Sequence, residues 1–354
     1  MVEDRATSVN NSEVRVKSMQ ELVKTRLKDK PLFRNCLIPF ARVVRRTVQH
    51  AREALRRARY FAISKKEFIH DLKTAIANNT GYAAGKIGYS EQHWMYYEIL
   101  LQKEKNTEKI KHFEKDLDFH CLKQEGIFPA DPNFYLEFNK FYIPHVRNVD
   151  CLGICYRPWE LEIIKYYPLK NKLIYYPYQQ TNVLTSSTEE TCYLPHFRDR
   201  KLLLVCPFAG ILKQRATKEI FEGVWSKAGK KKWFYPKIVE ALEFPYGFSE
   251  ETHKSYSTVI DLFKHITIEI EKRDFDIALI GAGGLAIPIA SHVKKMGKIG
   301  IDLGGHLQVL FGVLGKRYRN WKWDAWNSNE WCIDMPAKYR PKEADDVCDK
   351  GAYW

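Results

Sequence analysis

The sequence lacks several features that would place it in a well-defined class of protein. It has no run of 18 or more apolar residues, so no transmembrane helix is predicted. Its first residues, MVEDRATSVNNSEV, are polar and do not have the apolar segment of a secretory signal peptide. It contains no Walker loop, no recognisable Ser-His-Asp order and no His/Cys cluster with zinc spacing. The remaining expectation is a site built from glycines, carboxylates and a few cations.

Cysteine usage indicates a reducing compartment. The eight cysteines are scattered, and the closest pair is Cys151 and Cys155. Their spacing, inside a predicted strand, suits neither a zinc site nor a disulfide. We therefore expect reduced thiols and a cytoplasmic protein.

Positive charge is concentrated in the first fifth of the chain. The whole chain of 354 residues has a formal net charge of +14, and residues 1–75 hold 18 Lys and Arg against 8 Asp and Glu. We predict a basic helical extension over residues 1–75. It is either a solvated helix face or a peripheral contact with an anionic membrane surface. Nucleic acid is not expected as a partner, because no recognised reading module accompanies the charge.

Short apolar runs alternate with helical patterns along the rest of the chain. Strands are predicted over 83–89, 150–156, 173–178, 201–208, 238–244, 277–280 and 299–303. Helices are predicted from 90, over 107–123, 133–146, 209–224 and 250–272, after 284, and over 306–314. This alternation predicts an α/β fold with a Rossmann-like, mostly parallel sheet over residues 76–320. A Trp-rich tail, residues 321–354, is expected to pack on that domain.

The stretch 275–311 carries the densest signal, FDIALIGAGGLAIPIASHVKKMGKIGIDLGGHLQVLF. It reads as strand, glycine turn, helix and strand, which is a βαβ unit. Backbone N–H groups at such a helix start favour an anion, so phosphate is the expected ligand. The residues of interest are Gly281, Gly283, Gly284, Asp302, Gly304, Gly305 and His306.

Two chemical interpretations of this unit remain open. Gly281, Gly283 and Ala286 match the dinucleotide fingerprint, with Asp302 placed to hold a ribose hydroxyl. An NAD(P)-dependent oxidoreductase is therefore one hypothesis, although this fingerprint normally begins a domain and here lies near its end. The glycines could equally serve tight packing between strand and helix. His306 is either a helix-start residue or part of a site.

A second segment joins this unit at the same expected sheet edge. KIGYSE, residues 86–91, places Lys86, Gly88 and Glu91 at a strand-to-helix junction, with Ser90 as the expected N-cap. Pro207 ends another strand at that edge, where ligands of open α/β sheets bind. Such a set suits nucleotide-sugar transfer, in which a metal or cations neutralise the leaving diphosphate. The tail tryptophans could stack on a sugar or base, or serve packing.

These segments resemble glycosyltransferases of the D-type (GT-D) fold and related bacterial proteins from surface-polysaccharide clusters. IALIGAGGLAIPIA, KKMGK and IDLGGH are similar to the end of the GT-D pattern, with one extra glycine before the histidine. KIGYSE is similar to the Arg-x-Gly-Asp-Gly-Glu signature, but Tyr89 stands for the aspartate and Ser90 for the second glycine. GIFP at 126–129, DCLG at 150–153, PFA at 207–209 and the final YW are similar to the polysaccharide-cluster relatives. The basic, aromatic-rich composition suggests a large algal-virus member.

The resemblance implies a nucleotide-sugar-dependent glycosyltransferase with a glycan or glycoprotein acceptor. It implies Glu91, Asp302 and His306 as catalytic residues, and Glu91 as a ligand of a divalent metal, Mn²⁺ or Mg²⁺. The residues it implies for the nucleotide sugar are Lys86, Gly88, Ser90, Pro207, Gly281, Gly283, Gly284, Gly304 and Gly305. Besides the oxidoreductase, a non-catalytic nucleotide- or sugar-binding protein remains an alternative.

Overall fold

A computed structural model describes residues 59–155, 157, 159–179, 190–226, 233–319 and 330–354. Within it, Tyr60–Trp354 forms one compact unit. The predicted basic extension therefore lies almost wholly outside the described residues, as do Trp321, Trp323 and Trp326 of the tail. The predicted limit at residue 75 falls inside a helix, Lys65–Ala77, whose residues Phe68 and Leu72 are fully buried in the core.

Seven parallel strands form the central sheet, which confirms the predicted α/β class. They are β1 (Tyr82–Lys86), β2 (Cys151–Ile154), β3 (Lys172–Tyr175), β4 (Lys201–Val205), β5 (Ile238–Leu242), β6 (Ile277–Ile280) and β7 (Ile299–Asp302). Their spatial order is β3-β2-β1-β7-β6-β4-β5. A small second sheet pairs β8 (Val313–Leu314) with β9 (Ile333–Asp334), also in parallel.

Helices surround both faces of the sheet. The α-helices are α1 (Lys65–Ala77), α2 (Tyr89–Lys103), α3 (Thr107–Asp118), α4 (Pro132–Asn148), α5 (Glu160–Tyr166), α6 (Tyr176–Gln179), α7 (Ala209–Arg215), α8 (Lys218–Trp225), α9 (Glu250–Ser255), α10 (Val259–Glu271), α11 (Ala286–Lys295), α12 (His306–Leu310) and α13 (Lys316–Arg319), with a last helical turn at Cys348–Gly351. Shorter 3₁₀ turns lie at Leu194–Phe197, Gly283–Leu285 and Ala337–Tyr339, and a π-helix spans Phe119–Gln124.

The strands alternate between two hydrophobic layers, as the pleat of a sheet requires. On β4, Leu202 and Leu204 join one buried cluster, whereas Leu203 and Val205 join the other. Helices α1, α7, α8 and α12 contribute to the first layer, and α2, α4, α10 and α11 contribute to the second. Burial on both faces explains why β4 and β6 appear in the sequence as continuous apolar runs.

Several predicted helices differ from those observed, and one of them, predicted over 306–314, ends at Leu310, because Val313–Leu314 forms β8. The helix predicted over 209–224 is two helices, because the chain turns at 216–217 and Thr217 caps α8 by accepting the Ile220 N–H. The helix predicted over 250–272 is likewise divided, and Thr258 caps α10. Ser90 is not the N-cap of α2: the helix begins one residue earlier, and Gly88 occupies the cap position.

The strand order sets the position of the site. Strands β2 and β3 lie on one side of β1. Strand β7, the last strand of this sheet along the sequence, pairs with β1 on its other side. The strand order therefore reverses between β1 and β7. In open α/β sheets, ligands bind in the crevice outside the carboxyl ends of the strands at such a point.

Candidate functional site

A cavity of about 170 Å³ lies at the carboxyl ends of β1, β7, β6 and β4, where the strand order reverses. Charged side chains, glycine backbone and aromatic side chains line it together. The lining residues that concern the site are Lys86, Glu91, Glu125, Pro207, Gly281, Gly283, Asp302, Gly304, Gly305, His306, Arg317, Tyr353 and Trp354.

Asp302 holds the ends of β1 and β7 together. Its Oδ2 accepts the backbone N–H of Lys86 at 3.2 Å, and its Oδ1 accepts the N–H of Gly304 at 2.8 Å. Its backbone carbonyl accepts the side-chain amide of Gln179 at 2.6 Å. Burial raises the pKa of Asp302 to about 6, although the ammonium of Lys86 acts in the opposite direction. Both carboxylate oxygens therefore hold together the backbone segments that form the crevice.

Lys86 and Glu91 form a largely buried ion pair. The Lys86 Nζ lies 3.5 Å from the Glu91 Oε1, and the two side chains are 19% and 6% exposed. Burial opposes the charge on Lys86, but the carboxylates of Glu91, Glu125 and Asp302 hold its pKa above the ordinary value. A Cβ on Gly88 would clash with the Lys86 Nζ and lie 2.5 Å from the Glu91 Oε2. The absence of a side chain at Gly88 thus makes room for the pair.

Glu125 is a third carboxylate in the cavity, and the sequence did not single it out. It follows the π-helix Phe119–Gln124 and precedes Gly126, whose φ of 71° turns the chain sharply. Burial raises the pKa of Glu125 to about 8, and the negative charge of Glu91 adds to this effect. The nearby Ser90 hydroxyl acts in the opposite direction and lowers the pKa of Glu125. The only feature of the sequence that could have indicated Glu125 is its position directly before the predicted GIFP turn.

Residues near the end of the chain also line the cavity. Arg317 pairs with Asp349 and donates to the Tyr353 hydroxyl at 3.3 Å, and its guanidinium lies 5.0 Å from the centre of that ring. Burial lowers the pKa of His306 to about 3, and the charges of Lys86 and Arg317 act in the same direction. The His306 imidazole is therefore neutral at pH 7. Of the tail tryptophans within the described residues, Trp354 lines the cavity, whereas Trp331 packs against the core.

The glycines bring three backbone segments into contact. A Cβ on Gly281 would lie 2.9 Å from the Gly304 carbonyl oxygen, so the turns after β6 and β7 touch there. A Cβ on Gly305 would overlap the Tyr353 ring and the Tyr318 hydroxyl. Gly284 packs against the Ile127 side chain and does not line the cavity. Close packing therefore accounts for these glycines, and Gly281, Gly283, Gly304 and Gly305 also present backbone to the cavity.

The structure thus brings most of the predicted site residues together. Nine of them line the cavity: Lys86, Glu91, Pro207, Gly281, Gly283, Asp302, Gly304, Gly305 and His306. Gly88 and Ser90 lie just behind it, against Lys86 and Glu125 respectively. Gly284 is turned toward Ile127.

The carboxylates do not form a site for the implied divalent metal. The Lys86 ammonium lies against Glu91 where a cation would bind, and Asp302 is engaged by backbone N–H groups. Tyr89, which stands where the GT-D pattern has its aspartate, packs against His93 and His120 and does not line the cavity. Within the described ranges, no group of three His, Cys, Asp or Glu side chains could hold a metal ion. Lys86 supplies positive charge there instead.

Comparison of the chain with known protein families, curated proteins and solved structures finds no match. In the part of the chain that the structure covers, no helix combines the length and apolar character needed to cross a membrane.

The position of Glu125 depends on Gly283, which gives a prediction about stability. Gly283 has a φ of 51°, and a Cβ there would lie 2.7 Å from the Glu125 carbonyl oxygen. Gly297 has a φ of 75° with open space around it. We expect Gly297→Ala to lower the free energy of unfolding by about 1–2 kcal/mol, from the left-handed backbone alone. Gly283→Ala should cost about 1–3 kcal/mol more, because the backbone of Glu125 must shift.

Urea unfolding of both variants measures this difference. Equal losses of stability in Gly283→Ala and Gly297→Ala would show that the Glu125 segment yields freely, and would contradict the close contact.

Proposed function

We propose that this chain is a nucleotide-sugar-dependent glycosyltransferase that moves a sugar to a glycan or glycoprotein acceptor. The proposal rests on the residues that line the crevice between β1 and β7. There two cations, Lys86 and Arg317, share one cavity with the carboxylates of Glu91, Glu125 and Asp302. Cations and backbone N–H groups suit a diphosphate, and carboxylates suit the hydroxyl groups of a sugar. Perturbed pKa values in a cleft also favour a catalytic site over a purely structural one.

The size of the cavity limits how much of such a donor is enclosed. Its volume of about 170 Å³ is below the roughly 300–1,000 Å³ of pockets that bury a complete drug-sized ligand. We therefore propose that the sugar and the diphosphate lie beside Lys86, Arg317 and the carboxylates. The nucleoside would lie toward Tyr246, Phe248 and Trp354, whose rings pack together.

The oxidoreductase alternative is less well supported by the geometry. The dinucleotide interpretation requires Asp302 to accept hydrogen bonds from a ribose. Asp302 is 2% exposed, and each of its carboxylate oxygens already accepts a backbone N–H. Little of the Asp302 carboxylate is therefore accessible to a ribose.

Donor binding tests the proposal directly. Thermal unfolding should shift upward with one or more members of a UDP- and GDP-sugar panel, since a ligand at 100 times its Kd adds about 2.7 kcal/mol. Adding a glycan acceptor to the stabilising donor should then release nucleoside diphosphate. A shift with NAD⁺ and none with any nucleotide sugar would contradict the proposal. Binding of donor without turnover would favour the non-catalytic alternative.

Arg317 offers a matched variant for this measurement. Arg317→Met removes a guanidinium that lines the cavity and lies over the Tyr353 ring. Arg198→Met removes a similar guanidinium, 5.5 Å from the Tyr235 ring, that does not line the cavity. We expect Arg317→Met to bind the donor at least about tenfold more weakly, because a charge-assisted hydrogen bond of about 1.5–3 kcal/mol is lost. We expect Arg198→Met to bind the donor with unchanged affinity. Equal affinities would remove Arg317 from the diphosphate site.

A further inference from the structure

Two of the three carboxylates in the cavity are already engaged. Asp302 accepts a backbone N–H with each oxygen. Glu91 has one oxygen against the Lys86 ammonium, and its other oxygen faces Gly88, which does not line the cavity. A proton on Asp302 would weaken the two N–H bonds that it accepts. A proton on Glu91, whose Oε2 has no hydrogen-bond partner, would leave the Lys86 ammonium without the charge of its ion-pair partner.

Glu125 differs from both in its surroundings. It reaches the cavity from a separate segment, held between the backbone of Gly283 and the Ser90 hydroxyl. Ser90 in turn lies 3.4 Å from the His120 Nδ1, and His120 is partly exposed at the surface of the unit. The ring of His120 stacks on that of His93, with 3.5 Å between the ring centres. Ser90 and His120 therefore place polar groups between Glu125 and the solvent.

We propose that Glu125 is the general base of this site and that Ser90 and His120 carry its proton to solvent. The inference rests on the proposed transferase function and names the residue that activates the acceptor. The acceptor oxygen forms a bond to the anomeric carbon as its hydroxyl proton moves to the Glu125 carboxylate. The bond from the anomeric carbon to the diphosphate breaks, and its electron pair leaves with the nucleoside diphosphate. Glu91 and Lys86 then act as positioning residues.

The local structure supports this assignment. The π-helix before Glu125 changes the helical register immediately ahead of it, and π-helical turns frequently occur at functional sites. A base is most effective when its pKa lies near the working pH, and that of Glu125 is raised by burial to about 8. The titratable groups that act on it or respond to it are Lys86, Glu91, Asp302, Cys121, Tyr142, Cys348 and Tyr353.

Replacement of Glu125 by glutamine tests the assignment. Glu125→Gln should lower kcat about 10²–10⁴-fold, while the thermal shift caused by the donor is retained. In the wild type, kcat/KM should rise with pH to a plateau above about pH 8, and this rise should be absent from the residual activity of the variant. Glu125→Asp should keep the rise with a lower plateau. Glu219→Gln, on the exposed first turn of α8, should behave as the wild type.

The proton route has its own test. Ser90→Ala and His120→Ala should each lower kcat by about tenfold with unchanged donor binding, and imidazole in the buffer should restore the rate of His120→Ala. Rates equal to the wild type in both variants would overturn the route.

Activity of Glu125→Gln within threefold of the wild type, with the same pH profile, would overturn the base assignment and leave the transferase function standing. Failure of the wild type to turn over any donor would instead overturn the function on which the inference rests.

Discussion

Lys86→Met is expected to lower the free energy of unfolding at pH 8 by about 3–5 kcal/mol, the usual cost of breaking a buried ion pair. The ammonium of Lys86 lies 3.5 Å from the Glu91 Oε1 and interacts with Glu125 and Asp302 as well. Removing it leaves three carboxylates together in one cavity. They can relieve their repulsion by binding protons, so the loss should be smaller at pH 5 than at pH 8. Urea unfolding at both values of pH measures the effect.

A double-mutant cycle separates the pair from its surroundings. Glu91→Leu in the Lys86→Met background should recover part of the lost stability, giving a coupling energy of at least about 1.5 kcal/mol. The pair Lys213–Glu240 is the control: its atoms lie 2.8 Å apart, but the side chains are 45% and 41% exposed. Its coupling should stay below about 1 kcal/mol, as for exposed ion pairs. Similar coupling in the two cycles would mean that solvent screens Lys86 as fully as it screens Lys213.

The loss of Lys86 should also abolish donor binding at pH 8, because the diphosphate would meet three carboxylates without their cation. Donor binding that survives in Lys86→Met would move the diphosphate to the Arg317 side of the cavity. In either case the stability and binding effects are separable, since the first is measured without ligand.

Strands β4, β6 and β7 were predictable because burial on both faces leaves a continuous apolar run. The strands predicted over 83–89 and 173–178 end at Lys86 and Tyr175, and helices begin at Tyr89 and Tyr176. For β6 the predicted and observed limits, Ile277 and Ile280, coincide, and β4 and β7 begin where predicted. The breaks at 216–217 and before Thr258 were missed, because an apolar periodicity continues through them while the direction of the chain changes. The parallel arrangement followed from the alternation of strands and helices.

The site was predictable only where its residues follow strand ends. Lys86, Gly281 and Asp302 each end a strand or follow one directly, and parallel strands place their carboxyl ends at one edge. Glu125 and Arg317 follow no strand of the main sheet. They reach the cavity because the π-helix Phe119–Gln124 and helix α13 lie at that edge. Such tertiary contacts have no local pattern in the sequence.

The burial of Glu125 in the cavity predicts how the free energy of unfolding depends on pH. Its pKa is raised from an ordinary 4.5 to about 8, so between these values the folded state binds more protons than the unfolded state. The contribution of Glu125 to stability is then largest below about pH 4.5 and falls as pH rises through about 8, by as much as about 1.4 kcal/mol per pH unit. Asp302, with a pKa raised to about 6, adds to the lower part of this range.

Glu125→Gln removes the ionisation and should flatten that dependence. We expect the variant to exceed the wild type in free energy of unfolding by a few kcal/mol at pH 8.5 and to match it near pH 4.5, where both side chains are neutral. Glu219→Gln should follow the wild type at both values, because its side chain is exposed. A stability gain in a variant that loses turnover is expected where a buried charge is kept for catalysis. A Glu125→Gln protein less stable than the wild type at pH 8.5 would instead show that ionised Glu125 stabilises the fold through Lys86.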